Sequence, residues 1–275
     1  MPNDLRPLTL GELLDRSFSL YRKNFILFVG IMALPHLVLL AFQLAGVAIP
    51  FLRGTAGSIA NAFWILATAV VTLGISAASQ GATVIAVSHV HLDRPVTIME
   101  SFAGIKGRIL YLALIMIGYG IGVGIGFVLL IVPGIILGLM WALTIPVAVL
   151  EDKGLRDSVN RSAELTKGHR GRVFVVYLLF LVLLYAVYLT WEGPMLYLIG
   201  IKAHSGHPLV GVPLWAQIVM PIGGFLSQCL AGPLMTIGLS LLYYDERVRK
   251  EGFDLQHMMA TLDNVQGATV PAVGV

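Results

Sequence analysis

The sequence predicts an all-α integral membrane bundle of about six transmembrane helices, with cytoplasmic amphipathic helices lying in the interface. Three observations carry that prediction. Hydrophobic residues make up 57% of the 275-residue chain and charged residues only 12%, which leaves too little polar surface for a soluble domain of this length. Apolar runs longer than about 18 residues recur, the length a helix needs to cross the hydrocarbon of a bilayer. The basic residues, finally, gather in alternate connections instead of being spread along the chain.

Thr9-Leu10-Gly11-Glu12 opens the chain with a capping box, in which the Thr9 side chain serves the helix start and Glu12 reaches back. Leu10, Leu13, Leu14 and Tyr21 then share one face, so residues 9–23 are expected to lie as a helix in the membrane interface. The amphipathic character of 1–23 and the length of the run after it argue against a cleaved signal peptide. Spans are predicted at about 25–51, 58–90, 109–132, 135–150, 173–191 and 214–244 within a single domain, 1–265, followed by a disordered tail at 266–275. The second span is rich in small and polar side chains around Gly74–Gly81, a composition that lets neighbouring helices approach closely. Thr97 to Glu100 repeats the capping box before a short helix. In the third span Gly118, Gly122 and Gly126 form one glycine stripe, Gly120 and Gly124 a second, and Pro133-Gly134 is expected to turn the chain.

The fourth span is short and holds Trp141 and Pro146. A third amphipathic helix follows, with Leu155, Val159, Ser162, Ala163 and Thr166 on one face. Tyr185, Tyr188 and Trp191 mark an aromatic belt at the end of the fifth span, and residues 192–213 read as the one sizeable outer loop. Pro221 and Pro233 interrupt the sixth span, Gly252 is a candidate C-cap, and Leu255, Met258, Met259 and Leu262 indicate a last amphipathic helix.

Threading follows from charge. With both termini in the cytoplasm, all of the 18 Lys and Arg residues except Arg53 and Lys202 fall on the cytoplasmic side, the bias expected of positive-inside topology. The amphipathic helices each precede a pair of spans, and Ser17, Ser101 and Ser162 hold similar places in them. Three repeated units of helix plus hairpin would explain this. A general tendency of basic helices to precede spans explains it equally well.

No pattern of residues points to chemistry. Met116 to Gly120 contains Gly-Tyr-Gly, but inside a helical apolar run it cannot present the extended carbonyls of an ion filter. The glycines never form a dinucleotide-binding fingerprint. His204, His207 and Glu192 are too loosely spaced for a metal site, and the single cysteine, Cys229, excludes a disulfide framework. No Asp, Glu, Lys or Arg lies near a span centre, which argues against ion-coupled pumping. His36 is the deep ionisable residue, and with Ser79, Gln80, Gln228 and Thr236 it is a candidate lining for a cavity; interhelical hydrogen bonding is the competing reading. Arg161, Lys167, Arg170 and Arg172 are candidates for contact with lipid phosphates or an acidic partner, or they only fix the topology.

Four stretches, LTLGELLDRSFSLYRKNF (8–25), VPGIILGLMWALTIPVAVLE (132–151), RSAELTKGHRGRVF (161–174) and LLYYDERVRKEGFDL (241–255), resemble the membrane domain of the glycerophosphoryl diester phosphodiesterase family. The resemblance implies a multi-span helical protein of a prokaryotic plasma (inner) membrane. In fused members hydrolysis belongs to a separate soluble barrel with His-Arg and Glu-x-Asp motifs. Here Glu-x-Asp is absent and the one His-Arg pair, His169-Arg170, lies in the basic helix. The expectation is therefore a non-enzyme without catalytic, cofactor or metal residues: a scaffold or anchor for a membrane or lipid-metabolism partner. The alternative is a passive transporter or lipid-handling protein with a cavity between spans two and six. Expected partners are membrane lipids and a protein or second copy, not nucleic acid.

Overall fold

The computed structural model describes residues 7–48, 58–204 and 214–252. They form ten helices and, among the described residues, no strand. In chain order these are α1 (Leu10–Lys23), α2 (Phe25–Ala48), α3 (Ser58–His91), α4 (Ile98–Ala103), α5 (Ile109–Leu129), α6 (Ile131–Met140), α7 (Thr144–Leu150), α8 (Leu155–Thr166), α9 (Arg170–His204) and α10 (Leu214–Glu251). Six stretches are long and apolar enough to cross a membrane: α2, α3, α5, α6 with α7, α9 and α10. The short helices α1, α4 and α8 each precede two of these stretches. They bring the basic residues to one end of the bundle, here termed the charged face. The predicted final amphipathic helix and tail, the Arg53 turn and His207 lie outside the described residues.

Both capping boxes form. The Thr9 hydroxyl accepts from the Glu12 N–H, and the Glu12 carboxylate accepts from the Thr9 N–H at 2.8 Å; Thr97 and Glu100 repeat the arrangement. These bonds satisfy N–H groups that the first turn of a helix leaves without partners. Gly252 ends α10 at φ +60°, the left-handed cap conformation that glycine adopts without a Cβ penalty.

α10 is the central pillar. Ile237 and Leu241 enter one apolar core with Phe28, Ile31, Ala82, Val87 and Ile115. Leu234, Leu242 and Tyr243 enter a second with Leu13, Leu143, Val173 and Phe180. Many outward-facing side chains are apolar, as lipid requires: Ile26, Leu66, Leu110 and Val128 are all exposed. α3 is interior only in its second half, where Ala77 to Val84 are mostly buried; Phe63, Leu66 and Val70 in its first half face outward.

Three expectations are corrected. The turn of the central hairpin falls at Leu130, whose backbone is extended, and Pro133 and Gly134 lie in the first turn of α6. A proline there forfeits no helical hydrogen bond, so the helix starts before it. The fourth span is broken at residues 141–143 between α6 and α7, and Pro146 falls in the first turn of α7, where its missing N–H forfeits no helical hydrogen bond. The fifth span does not end at Trp191: α9 continues through Pro194 to His204, so 192–204 is helix and not loop.

The break in the fourth span explains α8. Ser162 Oγ donates to the Met140 carbonyl at 2.8 Å and accepts from the Leu143 N–H at 3.1 Å, while Thr166 Oγ1 also reaches the Met140 carbonyl. Buried backbone groups released by the break thus find partners. The inward face of α8 is Ser158, Ser162, Leu165 and Thr166; Leu155, expected on it, is exposed.

Candidate functional site

Between α2, α3, α9 and α10 lies a cavity of about 350 Å³, within the size range of small-molecule sites. Its wall carries His36, Gln43, Thr72, Ser76, Tyr188, Glu192 and Gln228. His36 is 11 residues into α2, about 17 Å along the axis at 1.5 Å per residue. The cavity therefore runs from mid-bilayer toward the face opposite the charged one, where Gln43 lies two turns further on.

Each wall element has a reason to be there. His36 follows Pro35, and its Nδ1 lies 2.8 Å from the Met32 carbonyl one turn back and 3.5 Å from Ser79 Oγ of α3. Tyr188 and Gln228 meet across α9 and α10, with Gln228 Nε2 donating to the Tyr188 hydroxyl at 3.1 Å. Pro221 and Gly224 line the cavity from α10 and present little side-chain bulk to it. Glu192, placed in a loop by the sequence, stands on the continued α9 and brings the cavity its one carboxylate.

The five residues expected to line one cavity are divided. His36 and Gln228 line this one. Gln80 and Thr236 line a separate, much smaller void of about 90 Å³ with Tyr119, Trp141 and Tyr177. Ser79 is fully packed between helices and touches His36 from behind the wall. Ala77 and Ala78 of α3 and Ile237 of α10 belong to the packed core. Glu192, Tyr188 and Ser76 were missed as cavity residues; the apolar run continuing past Trp191 was the signal for α9's extension.

At the charged face the last turns of α10 form an ion-pair floor. Asp245, 3% exposed, accepts from the Leu8 N–H at 2.6 Å, from Arg249 Nε at 2.9 Å and from Arg172 at 3.0 Å, and Arg172 donates onward to the Leu8 carbonyl. Glu246 is fully buried, and His169 Nδ1 stands 2.6 Å from its Oε2. Arg161 bridges Glu151 and Glu251, Arg247 pairs with Glu251, and the Tyr243 hydroxyl donates to Glu151 at 3.0 Å. Partial burial pushes the Glu151 carboxyl up, but Lys153, Tyr243 and Arg161 together hold it below the ordinary glutamate value. Burial likewise opposes the Arg161 charge, and Glu251 and Glu151 outweigh it and raise its pKa.

The floor sorts the four candidate cations. Arg161 and Arg172 have their guanidinium groups engaged by carboxylates, Lys167 is exposed, and Arg170 is half-buried. They do not form one open phosphate-binding patch. His169 of the His169-Arg170 pair does meet a carboxylate, Glu246, seventy-seven residues away in sequence. No group of three or more metal-ligating side chains occurs among the described residues.

Residues 96–258 match the family model described as the membrane domain of glycerophosphoryl diester phosphodiesterase. No curated protein and no solved structure matches the chain. The matched region includes the floor-forming turns of α10, the broken fourth span and the hydroxyl-capped α8. The chain belongs to the family of the membrane domain of glycerophosphoryl diester phosphodiesterase.

Proposed function

We propose that this multi-pass protein is a non-enzymatic, lipid-handling component of a prokaryotic plasma membrane, with the charged face and both termini in the cytoplasm. It takes the polar part of an amphiphile into the cavity between α2, α3, α9 and α10. The single observation that carries this reading is the cavity wall: seven polar side chains from four helices converge at a depth where each is costly to keep. Bundles ordinarily spend such residues on bonds between helices. Of the seven, Tyr188 and Gln228 are bonded to each other and His36 to its own helix, and the space between them holds about 350 Å³. That is room for a headgroup or a short polar solute, each water occupying about 30 Å³.

The ion-pair floor supports passivity. Asp245 and Glu251 are each held by two guanidinium groups, which suits a rigid closed end better than a proton relay. The test is mass spectrometry of protein extracted from native membranes directly into lipid nanodiscs. One lipid or small molecule should be enriched over the surrounding membrane. It should be lost from the Gln43→Leu and Gln228→Leu variants while the melting temperature stays within a few degrees of wild type. A stoichiometric protein partner with no enriched small molecule would replace this reading with a scaffold.

A further inference from the structure

A second cavity, on the charged face, lies between the end of α1, the start of α2 and the segment that follows α3. Its volume is about 670 Å³. Arg16 and Lys23 of α1 and Arg94 beyond α3 surround it, with Asp93 as the one carboxylate in the wall. Three cations against one anion leave the cavity with an excess of positive charge. Lys23 and Arg94 are exposed, and neither side chain is in an ion pair among the described residues. Ser19 and Asn24 add hydrogen-bonding groups to the same wall.

The cavity's position says what would fill it. α1 is an amphipathic helix and α2 begins at Phe25, so the three cations stand where headgroups meet hydrocarbon. Leu20, Leu27 and Val96 make the other wall apolar, and beside it Ile26 is 82% exposed and Phe25 43% exposed. A molecule held here would meet positive charge at one end and a lipid-facing apolar surface at the other. Unlike Arg161 and Arg172, Lys23 and Arg94 are not consumed by the ion-pair floor.

We infer that this cavity binds the phosphate of an anionic phospholipid headgroup, with the acyl chains lying along Phe25 and Ile26. Phosphate oxygens accept from guanidinium and ammonium donors, and the polar wall offers further donors to a diester or a glycerol hydroxyl. The site is separate from the mid-membrane cavity and shares no residue with it.

The experiment counts bound lipid by native mass spectrometry of the full chain, released from nanodiscs containing phosphatidylglycerol or phosphatidylcholine. Wild type should retain phosphatidylglycerol in a saturable one-to-one complex and not phosphatidylcholine. Lys23→Gln with Arg94→Gln should weaken retention roughly thirtyfold, at about a factor of five for each cation removed. The control pair Lys106→Gln with Arg156→Gln, also exposed on the charged face, should change it by less than threefold. Equal loss from both pairs would mean general surface charge and overturn the site, as would no loss from the first pair. Soluble glycerol phosphate is the remaining arm. If it binds at Lys23 and Arg94 as tightly as the lipid does, the lipid assignment falls in favour of a free phosphate ester.

Discussion

Asp245 shows how much of this chain's charge is structural. Its carboxylate ties together α10, α9 and the segment entering α1 through Arg249, Arg172 and the Leu8 backbone. Burying ions costs solvation, and only complete pairing offsets that cost. Removing one partner leaves the others uncompensated, so Asp245→Ala should lower stability by about 3–5 kcal/mol. Thermal or denaturant unfolding in detergent would measure it, and a loss under about 1 kcal/mol would show that the floor is wet and loosely paired. Exposed Lys167 provides the contrast: Lys167→Ala should stay within about 0.5 kcal/mol of wild type. Within the motif LLYYDERVRKEGFDL, packing and pairing account for Tyr243, Tyr244, Asp245, Glu246, Arg247 and Arg249, which each bond a group on another element or on their own helix. Which carboxylate meets which guanidinium across elements was not legible in the sequence, because Arg172 and Asp245 are 73 residues apart (245 − 172) and Arg161 and Glu251 are 90 apart.

At the scale of elements the glycine stripes of α5 were half legible. Gly122 packs against the Trp141 ring, and a Cβ on Gly126 would come within 3.0 Å of the Gly134 backbone. This stripe is where α5 meets the fourth span. Gly120 and Gly124 have nothing within reach of a Cβ and face outward. Both stripes have the same spacing, so periodicity alone does not distinguish them; only the position of the neighbouring helix does. Gly122→Val should cost about 1–3 kcal/mol by overpacking against Trp141. Gly124→Val should stay within about 0.5 kcal/mol. Equal effects of the two substitutions on the unfolding midpoint would remove the assigned packing face. The hydroxyls of α8 teach the same lesson in reverse. Ser162 and Thr166 were placed on the right face by periodicity, but their purpose, holding the carbonyl and N–H groups at a break in another helix, depends on where the fourth span is broken.

For the whole molecule, the order of one short helix and two membrane-crossing stretches occurs three times, and Ser17, Ser101 and Ser162 are all fully buried at the matching places. Topology is the prediction at this scale. In a Cys229→Ser background, Lys106→Cys and Arg156→Cys should react with an impermeant thiol reagent only after the cells are opened, and Leu214→Cys in intact cells. The opposite pattern would invert the proposed orientation. The sequence by itself determined the membrane class, the number of crossings, both capping boxes and the side on which charge collects. Those properties are local: hydropathy over about 20 residues decides whether a helix can sit in lipid, and a capping box spans four residues. Tertiary structure decided that His36 and Gln228 share a cavity while Gln80 and Thr236 do not, that Glu192 joins them, and that Arg161 is engaged while Lys23 and Arg94 line an open pocket. These are relations between helices distant in sequence, fixed by which faces pack around α10 once the spans are already in the membrane.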